Sequence, residues 1–199
     1  PSDLRIGMAF ENDGFSLDVR AGVLDVAKKY NMKIVIDDKL PADLSDMSAT
    51  LTKFKALKPD ILLVSGHSKG AATAARQIEE MKIQAPVIAY THCEAAKVHE
   101  KFPKSANGVM CPTQWLDNLP KQDKYFGDAA KWNADFKKVH PSYTEVPYQT
   151  AQASAAVLVF KDAFERANSF DRDKVRDALA ATDMETFYGD IRFAPMNVG

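Results

Sequence analysis

The sequence is poor in the features that identify several specialised classes of protein. It has two cysteines and four histidines in 199 residues, with no C-x-x-C pair, so it gives little support to a zinc site. Its 26 basic and 27 acidic residues leave a net charge of −1 and form no basic stripe, which argues against a nucleic-acid partner. Residues 68–70, Ser-Lys-Gly, lack the rest of a phosphate-binding loop. We therefore expect no metal, no cofactor and no nucleic acid.

Long apolar runs are also missing. No segment approaches the length that crosses a bilayer. The first residues lack the positively charged segment and following apolar segment of a secretory signal. The chain is therefore either cytosolic, or its targeting segment has been removed.

The two cysteines, Cys93 and Cys111, allow two interpretations. The simpler one is a pair of separate, small, buried or half-buried residues. The other is a disulfide, which requires Cα atoms within roughly 7 Å and therefore places the end of one strand beside the next. The sequence leaves both open.

The first part of the chain alternates between strand and helix. Apolar runs predict strands at residues 4–10, 33–36, 61–64, 86–90 and 108–111, and helical spacing predicts helices at 15–30, 46–57 and 71–82. Asp37 and Asp38 are interpreted as a solvated turn, and residues 91–107 as irregular. Such alternation indicates a parallel sheet, and right-handed crossovers place helices on both of its faces. The predicted fold class is α/β, with a Rossmann-like parallel sheet.

The second part has a different character. Residues 115–125 are predicted to be a polar, proline-bearing linker. Helices are predicted at residues 127–139, 148–167 and 173–181, and a short terminal strand at 188–193. This section is predicted to have no sheet of its own. Its helices carry too many apolar residues to stand in water alone. We expect a partner subunit or a missing piece of the same polypeptide to cover them, and self-association of this chain through the uncovered face.

Residues 60–70, DILLVSGHSKG, support two different functions. They predict a buried strand that ends in small polar residues, and ligands bind outside the carboxyl ends of strands in open α/β sheets. Residues 66–70 also match the Gly-x-Ser-x-Gly nucleophile elbow, which would make Ser68 the nucleophile of a small serine hydrolase. Because no Gly-rich oxyanion segment precedes the elbow and no later strands carry an acid and a base, binding is favoured.

Several segments, taken in order, resemble one known family. The runs DLRIGMAFENDGFSLDVRAGVLDVAKKY, DILLVSG and PVIAYTH resemble the second lobe of type I periplasmic binding proteins, in particular the leucine/isoleucine/valine-binding group of ABC transporters. ANGVMCPTQW and FYGDIRF resemble the crossings between lobes in that family. The resemblance implies a C-terminal portion that lacks the sheet of the first lobe. Residues 1–113 would form the second lobe, 114–187 helices that return to the first lobe, and 188–199 a crossing strand.

The resemblance implies a non-enzymatic, periplasmic component of an ABC-type uptake system, secreted and freed of its signal peptide. Such a protein captures a small organic acid, aromatic acid or amino acid between two lobes and delivers it to a membrane permease. Without the first lobe, we expect weak or no ligand binding. A ligand-sensing receptor domain of the same fold is a further alternative.

The resemblance also implies which residues contact the ligand, by their positions in the family pattern. These are Phe15, His67, Ser68, Thr91 and Tyr148. Phe15 would form an apolar wall, while His67 and Ser68 would hold a carboxylate. Thr91 departs from the amino-acid binders, which commonly place a carboxylate there, and a threonine does not balance a buried cation. This departure weakens the case for a plain α-amino acid.

Overall fold

Four parallel strands form the sheet of the first part of the chain. The computed structural model describes residues 3–193 and divides after Thr113 into two compact units. The strands and helices of unit 1 are β1 (Arg5–Glu11), α1 (Gly14–Lys29), β2 (Lys33–Leu40), α2 (Ser48–Leu57), β3 (Ile61–Ser65), α3 (Ser68–Glu80), β4 (Val87–Tyr90), α4 (Val98–Lys101) and α5 (Pro103–Ala106). The strand order is β2-β1-β3-β4.

The two faces of this sheet bury different residues of the same strands. Ile6, Met8 and Phe10 of β1 pack with Ala27 of α1 on one face. Ala9, which points the other way, belongs to the larger cluster that includes residues of α2 and α3. Successive side chains of a strand alternate between faces, so a nearly continuous apolar strand is buried on both sides. The predicted α/β fold with helices on both faces is confirmed.

Strand β2 is longer than its apolar run predicts. It continues to Leu40, with Asp37 opposite Met8 and Asp38 opposite Ala9 of β1. The Thr50 hydroxyl and the Lys53 ammonium donate hydrogen bonds to Asp38, at 2.7 and 2.8 Å. The prediction of a solvated turn here was wrong, because an edge strand tolerates charged side chains that have partners nearby.

Three other boundaries in unit 1 differ from the prediction. Helix α3 begins at Ser68 and ends at Glu80, rather than spanning 71–82. Residues 91–107, predicted to be irregular, contain the single-turn helices α4 and α5. The strand predicted at 108–111 is only a single bridge between Met110 and Ala89.

A disulfide joins Cys93 and Cys111, whose Cα atoms are 5.9 Å apart. The backbone explains this approach. Met110 donates to the Ile88 carbonyl at 2.8 Å and accepts from the Tyr90 amide at 3.2 Å, which brings the next residue beside the segment after β4. The structure thus decides between the two interpretations, and the pair of separate cysteines was wrong.

Up to residue 193, unit 2 combines three helices with two small sheets. Its elements are β5 (Gln122–Asp123), β6 (Gly127–Asp128), α6 (Ala129–Val139), α7 (Tyr148–Ala167), α8 (Arg172–Ala180), β7 (Asp183–Thr186) and β8 (Gly189–Arg192). Antiparallel pairs form between β5 and β6 and between β7 and β8. The prediction that this section has no sheet of its own was therefore wrong. The part of the predicted crossing strand beyond residue 193 lies outside the described residues.

The long helix α7 has apolar residues on two sides. Ala151, Ala155 and Leu158 are buried in the core of unit 2. Phe160 and Phe164 are exposed, and their rings stack with centroids 6.3 Å apart. Within residues 3–193, no helix is both long enough and apolar enough to span a membrane.

Candidate functional site

Three rings meet at the carboxyl end of the sheet in unit 1. Phe15 lies in the first turn of α1, after β1, while His67 precedes α3 and His92 follows β4. The ring centroids are 5.6 Å apart for Phe15–His67, 5.2 Å for Phe15–His92 and 5.4 Å for His67–His92. The carboxyl ends of parallel strands lie at the same edge, so these distant residues become neighbours. We call Phe15, His67 and His92 the ring cluster.

Thr91 and His92 hold the end of β4 to the end of β3. The Gly66 amide donates to Thr91 Oγ1 at 3.0 Å, and the Thr91 hydroxyl donates back to the Gly66 carbonyl at 2.6 Å. The Nδ1 atom of His92 lies 2.8 Å from the same carbonyl oxygen. A carbonyl oxygen only accepts hydrogen bonds, so Nδ1 carries the proton. His92 adopts a left-handed backbone (φ 59°), a strained conformation that often occurs at functional sites.

Two other residues predicted to contact a ligand have different surroundings. Ser68 is exposed and is the first residue of α3. It lies inside the helix rather than on the strained turn that presents a nucleophile in an elbow, and its backbone φ is not positive. Tyr148, the first residue of α7, belongs to unit 2 and is buried in its core.

Glu11 and Asp13 add a pair of carboxylates beside His67. Glu11 ends β1 and is 1% exposed, and its Oε2 atom has no hydrogen-bond partner among the described residues. Burial raises the pKa of Glu11, an effect that its contacts with the His67 backbone and imidazole only partly oppose. Partial burial also tends to raise the pKa of Asp13, but hydrogen bonds from the Ser16 amide and hydroxyl outweigh it and lower that pKa. The two neighbouring carboxyl groups therefore differ in acidity.

The two glycines of the Gly-x-Ser-x-Gly pattern make room for Glu11. A Cβ atom at Gly66 would lie 2.5 Å from Glu11 Oε1, and one at Gly70 would lie 2.4 Å from the same atom. Such contacts are far shorter than van der Waals distance, so neither position accepts a side chain without movement of Glu11. Packing around a buried carboxylate therefore explains the pattern that suggested a nucleophile elbow.

Gly66→Ala is expected to lower the free energy of unfolding by about 1–3 kcal/mol, the usual cost of overpacking a buried site. The new methyl group meets three side-chain atoms of Glu11 at 3.0 Å or less. Gly22→Ala in α1 is the matched control, because nothing lies within 4 Å of a Cβ there. It should be neutral or stabilising by up to about 1 kcal/mol, since alanine favours helix. Equal urea midpoints for the two variants would contradict this packing.

Glu11, Asp13 and His92 were not predicted as site residues. A signal for the first two was present, because Glu11-Asn-Asp13 directly follows an apolar strand, as Gly66-His67-Ser68 does. The place of His92 in the ring cluster depends on the left-handed turn after β4.

A family model described as periplasmic binding protein matches residues 3–197. The chain belongs to the periplasmic binding protein family. This confirms the resemblance seen in the sequence, and a solute-binding family gives no support to the serine hydrolase alternative.

Solved periplasmic binding proteins share this fold. A leucine-binding protein from Thermotoga maritima superposes with a TM-score of 0.79 at 19% identity, over 96% of this chain and 53% of that one. A branched-chain amino acid substrate-binding protein from Streptococcus pneumoniae, in complex with isoleucine, gives 0.73 at 19%, over 96% and 53%. A solute-binding protein from R. palustris, in complex with benzoate, gives 0.77 at 14%, over 96% and 52%. This periplasmic binding protein chain thus spans about half the length of these structures.

Proposed function

We propose that this chain supplies one side of the solute cleft in an extracytoplasmic solute-binding protein. The observation that carries the proposal is the ring cluster at the carboxyl ends of β1, β3 and β4, in a chain of the periplasmic binding protein family. Parallel α/β sheets bind ligands at that edge. Residues 1–113 would form the second lobe, 114–187 would return to the first lobe, and 188–199 would contain the crossing strand.

We propose a small organic acid, aromatic acid or amino acid as the solute. Phe15 is 36% exposed and would offer apolar ring surface, while the His67 side chain is 55% exposed and carries nitrogens that bind a carboxylate. Ser68 would add a hydroxyl next to it. Thr91 would support the solute contacts by holding the two strand ends together, because its hydroxyl already donates to and accepts from Gly66.

The proposed mechanism is closure of two lobes around the solute. A solute that contacts both lobes binds the closed form more tightly than the open form, and this difference in affinity shifts the population toward closure. A membrane permease of an ABC transporter would then recognise the closed form, in the periplasm. The α7 side chains left exposed in this chain would pack against the first lobe.

A titration followed by NMR tests the solute site. Benzoate and leucine, as an aromatic acid and an amino acid, are added separately to the labelled chain in the presence of a metal chelator. We expect weak, saturable shifts at Phe15, His67 and Thr91, because only one side of the cleft is present. His67→Ala should abolish them, whereas His99→Ala should not, since His99 is an exposed residue of α4.

Two results would contradict the proposal. Micromolar binding by this chain alone would show that no first lobe is needed. Absence of shifts at the strand ends with both solutes, or shifts that survive His67→Ala, would remove the proposed site.

We also expect the exposed face of α7 to drive self-association of this chain. Val157, Phe160 and Phe164 are exposed on one helix, and apolar patches of this kind mark interaction surfaces. Sedimentation velocity should show a mass that rises with concentration and falls back to the monomer in Phe160→Glu. Tyr30→Glu, at an exposed aromatic position of unit 1, is the control and should leave association unchanged. A wild-type chain that stays monomeric at all concentrations would contradict the expectation.

A further inference from the structure

Glu11, Asp13 and His67 are arranged as a possible set of metal ligands. Each offers one ligand atom, and the three atoms lie within 4.8 Å of one another. The Nε2 atom of His67 is 3.6 Å from Oδ2 of Asp13. Ligand atoms that bind one tetrahedral ion at about 2.0–2.2 Å are about 3.4 Å apart, so this pair already has nearly the required separation.

The buried carboxylate of Glu11 points independently to a cation. Its side chain is 1% exposed and contributes one of the three clustered atoms, yet Oε2 has no hydrogen-bond partner among residues 3–193. A buried polar oxygen without a partner is costly, and a bound cation would give it one. Gly66 and Gly70, which have no Cβ atom, leave the space that Oε1 of this carboxylate occupies.

The surroundings orient the other two ligands. The Ser16 amide donates to Asp13 Oδ1 at 3.0 Å, and the Ser16 hydroxyl donates to Oδ2 at 3.2 Å. Ser16 is itself fully buried, so a residue of the protein interior fixes the orientation of the Asp13 carboxylate. His67 is the N-cap residue of α3, and its exposed imidazole is able to rotate toward an ion. Outer partners of this kind fix the orientation of metal ligands.

We propose that Glu11, Asp13 and His67 bind a divalent transition-metal ion such as Zn²⁺ at the carboxyl end of the sheet. Two carboxylate oxygens and one imidazole nitrogen are a suitable donor set for that ion, and three protein ligands leave a coordination position open to water or solute. The site shares His67 with the proposed solute contacts but requires no solute.

Calorimetric titration of the metal-stripped chain with Zn²⁺, without solute, tests this inference. The wild-type chain should bind one equivalent. His67→Ala, Glu11→Gln and Asp13→Asn should each weaken binding by at least about tenfold, because the first removes a ligand and the other two replace a charged carboxylate with a neutral amide. Asn still caps a helix, and His67 is exposed, so at least these two variants should fold. Circular dichroism checks the fold of all three.

His99→Ala and His140→Ala are the matched controls, because both histidines are exposed and lie outside the cluster. Each should leave Zn²⁺ binding unchanged. As a second readout, Co²⁺ should give visible ligand-field absorption in the wild-type chain that disappears in His67→Ala.

Three outcomes would overturn the inference: no Zn²⁺ binding, binding unchanged in His67→Ala, or an equal loss in a control variant. Solute binding is measured separately in chelator. If the solute titration fails while Zn²⁺ binding is intact, only the proposed function is refuted. If Zn²⁺ binding fails while the solute titration succeeds, only the metal site is refuted.

Discussion

Phe187→Ala is expected to lower the free energy of unfolding of unit 2 by about 3–5 kcal/mol, the typical cost of truncating a buried phenylalanine. Phe187 is 0% exposed and lies between β7 and β8. Its ring stacks on Trp132 with centroids 4.9 Å apart and meets Trp115 and Phe126 edge-on, at 6.1 and 5.5 Å. These contacts place the Phe187 ring among three other aromatic rings of that core.

The truncation should act through packing alone. The Phe187 amide donates to Asp123 at 3.0 Å, and its carbonyl accepts from the Trp115 indole at 3.2 Å. Both are backbone groups of residue 187, so alanine retains them while it removes the ring. The expected loss is therefore that of apolar contacts and of the cavity left behind.

Tryptophan fluorescence during urea denaturation measures this effect directly. The chain has two tryptophans, Trp115 and Trp132, and both belong to the same cluster. Phe170→Ala is the control, because Phe170 is 91% exposed and its removal should change stability by no more than about 0.5 kcal/mol. If the two variants had the same midpoint, Phe187 would not be the centre of this core.

Loss of the Cys93–Cys111 disulfide is expected to lower the free energy of unfolding of unit 1 by about 3 kcal/mol, because the unfolded chain regains the freedom of the closed loop. The two residues are 18 positions apart and their Cα atoms are 5.9 Å apart. The double variant Cys93→Ser/Cys111→Ser should show this loss in urea denaturation followed by circular dichroism.

Reducing agent supplies the matched comparison. It should destabilise the wild-type chain by a similar amount and leave the double variant unchanged. Tryptophan fluorescence should respond little in either case, since both tryptophans lie in unit 2. Two thiols that react with an alkylating agent in the unreduced, folded wild-type chain would contradict the disulfide.

Local sequence was a good guide where burial repeats along one element. The β1 residues are apolar on both faces, and Tyr148–Ala167 has a long helical pattern, so both were predicted with nearly the observed bounds. Polar strands were harder to predict. Lys39 and Leu40 pair with Phe10 and Glu11 of β1, a contact that no pattern within β2 reveals.

The candidate site was predicted only in part, for the same reason. Phe15 and His67 follow predicted strands and carry side chains that suggest binding, and the structure places their rings together. His92 joins them through a left-handed backbone turn, a conformation that is uncommon for residues other than glycine and that no local pattern indicated. The role of Gly66 depends on Glu11, which occupies the space that a Cβ atom at Gly66 would need.

The sequence by itself determined the α/β class and the order of the elements from β1 to β4, because both follow from apolar periodicity, which is local. The succession of its segments also resembled the family that the comparison then showed. The tertiary structure alone decided the Cys93–Cys111 disulfide, the pairing of β7 with β8, and the meeting of Glu11, Asp13 and His67. Each of these depends on contacts between separate elements, which form only in the folded chain. In unit 1, such residues come together because the ends of parallel strands meet at one edge of the sheet.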